Sequence, residues 1–235
     1  MQFPRGGTAD LFRGQLGKIL YRRDPAVYAR IFAPVLAGGA SGLRNPPRPF
    51  VLRVRHLEGA RVDKFHAGVN VFAAGYSAME DAIKEIGRES LRAELVAVEG
   101  REALRLPLGG SRAAGHVRVH FLSPTELKNA EGPEFGVLFS RIRDRVSTLR
   151  ALYGEGALEI DFRAMGERAR AIRMTRCDVD YVEAAGERRP QGGFTGIAEY
   201  EGDLTDFVPY LEIAGYTGVG RQTVWGKGEI AVETF

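Results

Sequence analysis

Apolar residues recur at helical or strand spacing along most of the chain. Phe12, Leu16, Ile19 and Leu20 fall three and four apart, which predicts a helix around residues 11–20. A second short helix is predicted at Pro25–Phe32, with Val27, Ile31 and Phe32 inward. The glycines and prolines of Gly38-Gly39-Ala40-Ser41-Gly42 and Asn45-Pro46-Pro47-Arg48-Pro49 then predict loop. Phe50–His56 alternates apolar and polar residues and reads as a strand, and Lys64–Ala73 reads as the next. Ser77-Ala78-Met79-Glu80 has the spacing of a capping box opening a helix with Met79, Ile83 and Ile86 inward. Ala93–Glu99 reads as a further strand.

The second half repeats the pattern in kind. His116–Leu122 is a strand with Val117, Val119 and Phe121 on one face. Phe135, Leu138, Phe139, Ile142, Val146, Leu149 and Leu152 form the cleanest helical stripe in the chain. Ala171–Glu183 and Gly193–Tyr200 read as a strand pair around the polar turn Gly186-Glu187-Arg188-Arg189-Pro190. A helix follows from about Asp206, with Pro209 tolerated in its first turn, and Glu229–Phe235 closes the chain as a strand. This order, β-α-β-β-α-β, is ferredoxin-like. The first half gives α-β-β-α-β, the same order with its opening strand very short, replaced or lost. The fold expected is α+β, two tandem ferredoxin-like domains at 1–108 and 114–235, joined near Leu106–Ala114.

Composition adds limits. The chain has 235 residues, 44% hydrophobic and 27% charged, which is the make-up of a globular protein. No apolar run approaches the roughly 18 residues of a membrane span, and Met1–Gly7 lacks the apolar core of a signal peptide. Cys177 stands alone and there are four His, so neither an internal disulfide nor a Cys/His zinc site is expected. A reducing cytoplasm is the expected setting.

Charge is uneven. Net charge is +3, yet residues 1–55 hold ten basic residues against two acidic, a local +8. The other 180 residues therefore carry −5. Only five of the 33 basic residues are Lys, which codon usage can explain. Codon usage does not explain why acids are scarce at one end. A basic segment on a nearly neutral chain predicts a surface for a polyanion, most simply nucleic acid.

The most specific motif is Gly218-Val219-Gly220-Arg221-Gln222-Thr223-Val224-Trp225-Gly226-Lys227-Gly228. Glycines at both ends permit close backbone approach to a ligand, and successive N–H groups can cradle phosphate oxygens. Arg221 and Lys227 add charge, and Gln222 and Thr223 add hydrogen-bonding groups. No Gly-Lys-Ser/Thr opens a helix, so it is not a Walker loop, and the strand that follows excludes a Rossmann fingerprint. Spacing alone leaves two readings open, a tight turn or an RNA contact. Tyr216 and Trp225 flank the loop as base-stacking candidates or as packing.

A Gly-x-Gly-x-x-Thr-x-x-Gly-x-Gly loop closing a pair of ferredoxin-like domains resembles the RAMP superfamily of CRISPR systems. Phe121-Leu122-Ser123-Pro124-Thr125-Glu126-Leu127-Lys128, the helix Phe139–Tyr153 and Gly192-Gly193-Phe194-Thr195-Gly196 narrow the likeness. So do Arg13-Gly14-Gln15-Leu16-Gly17 and Pro46-Pro47-Arg48-Pro49-Phe50. Together they resemble the CRISPR precursor-RNA processing endoribonuclease. The resemblance implies binding of CRISPR repeat RNA and one metal-free cut per repeat, by attack of a 2′-OH on the adjacent phosphate. The products would be a 2′,3′-cyclic phosphate and a 5′-OH, with no cofactor. RNA contact would fall on Gly218, Gly220, Arg221, Gln222, Thr223, Gly226, Lys227 and Gly228.

The departure lies in the catalytic part. Many family members carry a His after the first helix, and this chain has none between residues 1 and 55. The corresponding stretch offers Tyr28 and Arg30, with Arg44 and Arg48 in the following loop, and the resemblance makes Tyr28, Arg30 and Arg44 the catalytic candidates. A tyrosine is handicapped as acid/base by its reference pKa near about 10, whereas arginine clamps phosphate well. Tyr28 also reads as an ordinary core or surface residue. His66 is the substitute base if one exists. His56 belongs to the apolar face of its strand, and His116, Arg118 and His120 form either an RNA-facing stripe or a solvated one. Arg141, Arg143, Arg145 and Arg150 either line a basic groove or form a solvated helix face. The rivals are a non-catalytic superfamily member binding repeat RNA beside other CRISPR effector subunits, and a ferredoxin-like regulatory domain pair.

Overall fold

The computed structural model describes residues 7–34, 47–57, 64–89, 97, 108, 113–128, 130–182 and 192–235. The expected strand at 93–99 except residue 97, the turn at 186–190, and most of the domain joint and of the 38–49 loop, Arg44 included, lie outside them.

Two helices open the chain, α1 (Thr8–Arg23) and α2 (Pro25–Phe32). Asp24 separates them and caps α2, its carboxylate accepting from Val27 N at 3.0 Å, with Pro25 preset in the first turn. Strands β1 (Phe50–Leu57) and β2 (Lys64–Val71) form an antiparallel hairpin with Arg53 opposite Gly68 and Arg55 opposite His66. Helix α3 (Tyr76–Glu89) follows. Phe12, Leu16, Leu20, Ile31, Phe50, Leu52, Met79 and Ile86 make one core between these helices and the hairpin. The capping box expected at Ser77 is not formed. The helix already includes Tyr76, Met79 N donates to Gly75 O at 3.1 Å, and Gly75 takes φ +125 to turn the chain in. Glu80 pairs with Lys84 instead.

The second unit contains β3 (His116–Thr125), α4 (Phe135–Tyr153), α5 (Phe162–Arg170), β4 (Arg173–Val182), β5 (Gly193–Glu201), α6 (Val208–Thr217) and β6 (Ile230–Thr234). Its antiparallel sheet has the order β4-β5-β3-β6, the ferredoxin-like arrangement, with α4 and α6 as the two crossovers. Val117, Val119 and Phe121 alternate inward to meet Phe135, Leu138, Phe139, Phe207 and Leu211. Buried Tyr200 donates its hydroxyl to Pro133 O at 2.5 Å, and burial raises its pKa.

Helix α5 had no counterpart in the predicted order. Its nine residues offer only the short apolar stripe Phe162, Met165 and Ala169, of which Ala169 alone is buried. Its start is set by Asp161, whose carboxylate accepts from Arg163 N and Ala164 N at 3.0 and 2.9 Å. No helix among the described residues is long and apolar enough to cross a membrane.

Candidate nucleic-acid interface

The glycine-rich segment runs from the end of α6 to β6 and holds one 3-10 turn, Thr223–Trp225. Its glycines are required by neighbouring backbone. A Cβ on Gly228 (φ +68) would stand 1.9 Å from Val219 O, and one on Gly220 (φ +76) 2.4 Å from Glu126 O. Gln222 also takes a left-handed φ of 60. The loop closes on itself through Val219 N donating to Gly228 O at 2.9 Å. It is sewn to the end of β3 by Gly228 N to Pro124 O at 3.1 Å and Arg221 N to Glu126 O at 3.0 Å. The motifs at 121–128 and 192–196 meet it there. Gly193 lies where a Cβ would come within 2.9 Å of Thr125, and Lys227 Nζ donates to Gly192 O at 2.9 Å.

Lys227, named above with Arg221 as a charge of the loop, does not project into solvent between the glycines. Lys227 is buried, and burial lowers its pKa against the opposing pull of Glu126. Gly218, Thr223 and Gly228 are buried with it, whereas Gly220, Arg221, Gln222 and Gly226 keep accessible surface. Arg221 is the exposed cation of the set, paired with Glu126 at 2.7 Å.

The loop also joins the two units. Val224 is buried in the first unit's core, and Trp225 packs against that core. The Arg13 guanidinium lies 3.7 Å from the Trp225 ring centroid and 5.5 Å from that of Phe32. A Cβ on Gly226 would come 3.3 Å from Ala9 of α1. Trp225 is thus half-buried packing with the Arg13 guanidinium over its ring.

Below the loop, three arginines converge where the units meet. From β1, Arg53 donates to Gly215 O at 3.0 Å and lies 4.0 Å from Glu229, while Arg55 pairs with the same carboxylate. From α4, Arg145 donates to Thr217 O at 2.7 Å and Thr223 Oγ1 at 2.8 Å. Burial, with Arg53 nearby, lowers Arg145 to about 10. Burial also lowers Arg53, helped by Arg55 and opposed by Glu229. Asn70 of β2 completes the seam by donating to Tyr216 O at 2.9 Å. Pattern reading gave Arg53 and Arg55 only as the polar positions of a strand. Arg145 was one of four helix arginines read as lining a groove or as a solvated face, and Glu229 carried no signal that set it apart from other charged residues.

Of the predicted catalytic residues, Tyr28 and Arg30 are among the described ones and Arg44 is not. Tyr28 stacks on Phe32 with centroids 5.5 Å apart and meets Tyr21 edge-on at 5.2 Å. Arg30 is exposed, reaching Ala74 O at 3.4 Å. Phe32 links this segment to Arg13 and so to the glycine-rich loop. Arg48 Nε donates to Phe32 O at 2.6 Å, and Tyr153 donates to Pro47 O at 3.0 Å, which ties the end of the 38–49 loop to α2 and α4.

The basic N-terminal segment is not one open patch. Arg22 and Arg23 pair with Glu85, and Arg53 and Arg55 face Glu229. Lys18 and Arg30 stay exposed without an ion pair among the described residues. On the outer face of the second sheet, His116 and Arg118 contact Glu199 at 3.1 and 2.9 Å, and His120 lies 3.2 Å from Glu233. That stripe is charge-compensated. His56 sits 3.2 Å from Thr8 Oγ1 against Phe65, and His66 is exposed on β2.

Residues 119–230 match the family model of the CRISPR-associated endoribonuclease Cas6. The match spans just under half of the chain and makes that part similar to a Cas6-type endoribonuclease. Among solved structures, a product complex of Thermus thermophilus Cas6 (TTHB231) has 16% identity and a TM-score of 0.74, covering 99% of this chain and 96% of that one. A product complex of Cas6 (TTHA0078) has 18% identity and a TM-score of 0.62, covering 96% and 92%. A partial Cas6-RT-Cas1–Cas2 complex has 10% identity and a TM-score of 0.56, over all of this chain and 44% of that one. No curated protein matches the chain. The α+β fold expected from the sequence, with tandem ferredoxin-like domains, is the fold shared with these structures.

Proposed function

We propose that this chain binds CRISPR repeat RNA and cuts precursor CRISPR RNA within its repeats, without a metal ion, leaving 2′,3′-cyclic phosphate and 5′-OH ends. The observation that carries the reading is the match of residues 119–230 to the Cas6 endoribonuclease family, a span that includes the glycine-rich loop joining both units. Relatives sharing the fold were solved as product complexes and as a substrate mimic complex.

In the proposed reaction the 2′-oxygen loses its proton and bonds to phosphorus. The bond from phosphorus to the 5′-oxygen breaks, and that oxygen takes up a proton. The phosphorane between them holds more negative charge than the diester, so cations placed on it lower the barrier. Arg30 and Arg44 are assigned to that charge, and Tyr28 to hydrogen bonding at the reacting oxygens. Arg221, Gln222 and the accessible edges of Gly220 and Gly226 are assigned to the RNA backbone. Gly218, Thr223, Lys227 and Gly228 support that edge from beneath.

The division into 1–108 and 114–235 is proposed on the two cores. Apart from Val224 and Trp225, the first core is built from residues up to Ile86, while the buried part of the second begins at Ala114.

A repeat RNA from the protein's own genome, incubated with the protein in EDTA, tests the reading. Cleavage should persist, and a 2′-deoxy nucleotide just upstream of the cut should abolish it while sparing binding. Chelator-sensitive cleavage, or a 3′-OH product, overturns the chemistry. The lack of a His in residues 1–55 favours one alternative, a non-catalytic repeat-binding subunit of a CRISPR effector complex. Binding of the cognate repeat without cleavage under any condition assigns the chain to that class. If His66→Ala alone stops cleavage, the base is His66 and the assignment to Tyr28, Arg30 and Arg44 falls.

A further inference from the structure

Away from the glycine-rich loop, a cleft of about 700 Å³ opens between the N-terminal half of α4, helix α5 and the start of β4. Its size is that of a small-ligand site. Four arginines line it, Arg141, Arg143, Arg163 and Arg170, against two glutamates, Glu134 and Glu167. Arg163 is held by Glu167 at 3.0 Å, and Arg143 by Asp144 at 2.7 Å and Phe162 O at 2.7 Å. Arg170 has no ion pair or side-chain hydrogen bond among the described residues. Arg141 gives one Nη to Lys128 O at 2.9 Å, and its Nε is buried with no hydrogen-bond partner.

Two further features give the cleft a chemical direction. The N-terminus of the 19-residue α4 opens into it, and Glu134 makes no side-chain cap there, so the positive end of the helix faces the cleft. Phe162 is exposed at the rim with the Arg143 guanidinium 4.8 Å from its ring centroid. The exposed ring, with the guanidinium over one of its faces, is an aromatic platform on which a base can stack, while the other arginines and the helix end attract phosphate. An acidic peptide would satisfy the charges and leave that platform unused. The cleft lies near the seam between the units: Arg141 of the cleft and Arg145 of the seam are one turn apart on α4, about 6 Å along its axis.

We propose that this cleft holds a single-stranded stretch of the RNA outside the part gripped at the glycine-rich loop. The proposal rests on the RNA-processing reading above. It is tested on the full chain with two probes, the cognate repeat RNA alone and the same RNA extended at either end by about ten nucleotides, within the range that single-strand sites occupy. The double variant Arg163→Glu, Arg170→Glu alters two exposed side chains and should leave the melting temperature unchanged. It should bind the extended RNA about tenfold more weakly, with a salt slope shallower by about 0.7 for each phosphate no longer neutralised. Its affinity for the bare repeat and its cleavage rate should match wild type. Phe162→Ala should weaken the extended RNA about fivefold with its salt slope intact, the mark of a lost stack. Equal loss on both probes, or no loss on either, overturns the proposal. So does competition for the extension by poly-glutamate as strong as by poly-uridine, which assigns the cleft to an acidic protein. A wild-type chain that binds the extended RNA but never the bare repeat overturns the functional reading and not the cleft.

Discussion

Gly228→Ala separates a loop shaped by its ligand from one shaped by its own backbone. Gly228 has φ +68, where an L-residue costs about 1–2 kcal/mol over glycine. The added Cβ would fall 1.9 Å from Val219 O and 3.2 Å from Val219 N, so Val219 must move. Moving it breaks the bond from Val219 N to Gly228 O, and holding Val219 in place breaks the one from Gly228 N to Pro124 O instead. Either way a buried backbone group loses its partner, at about 1–3 kcal/mol. The combined cost is about 2–5 kcal/mol, and a chain of this size loses about 2–4 °C per kcal/mol. The melting temperature should therefore fall by about 4–20 °C in a thermal scan followed by circular dichroism. Gly14→Ala is the matched control, because a Cβ there meets nothing within 4 Å and Gly14 lies within α1. It should be neutral or raise stability by up to about 1 kcal/mol. A Gly228→Ala chain that melts within about 1 °C of wild type yet no longer binds RNA would refute the reasoning, since the glycine would then be needed by the ligand.

Lys227→Ala and Arg221→Ala should part company. The first orphans Gly192 O and costs about 1–3 kcal/mol in denaturant unfolding, whereas the second loses less than about 1 kcal/mol with its surface ion pair and weakens RNA binding in a filter assay. Glu229→Gln removes the carboxylate that Arg53 and Arg55 share at a buried seam, so urea unfolding should show a loss of about 3 kcal/mol. Glu199 accepts from Arg118, His116 and Arg176, and the Arg118 hydrogen bond first among these holds its pKa below the ordinary 4.5. Its contribution to stability is therefore complete above about pH 4.5 and is lost as pH falls through the lower folded value. Melting temperatures of Glu199→Gln should lie below wild type at neutral pH and converge with it in acid; parallel curves would show that Glu199 is not the titrating group.

Periodicity made most of the fold legible because burial follows it. The stripe from Phe135 to Leu149 and the alternation of Val117, Val119 and Phe121 correspond to buried residues of α4 and β3, and Leu152 at the stripe's end is half-buried. Helix α5 escaped because a helix held by an Asp161 cap and ion pairs needs almost no apolar residues. The capping box at Ser77 misled for a local reason: Gly75 can take the left-handed turn that starts α3 earlier. At the site, sequence located the glycine-rich loop but could not show its inside from its outside. Lys227 and Arg221 look alike in a row of letters, and only the closure of the loop onto residues 124–126 and 192–193 buries one and exposes the other. Arg13, Arg53, Arg145 and Glu229 acquire their roles from contacts spanning from 72 to 212 residues of chain, which no local pattern encodes.

Because Val224 and Trp225 complete the core of a unit whose other members are all made by residue 86, the two ends of the chain do not mature independently during synthesis. Nearly 140 residues separate Ile86 from Val224. At about 5–20 residues per second the ribosome needs on the order of 7–30 s to add them. Through that interval the Arg13 and Phe32 side of the first core has no cover. The first unit to emerge is thus the last to be finished, and a message broken between codons 87 and 224 leaves that unit with an open apolar seat.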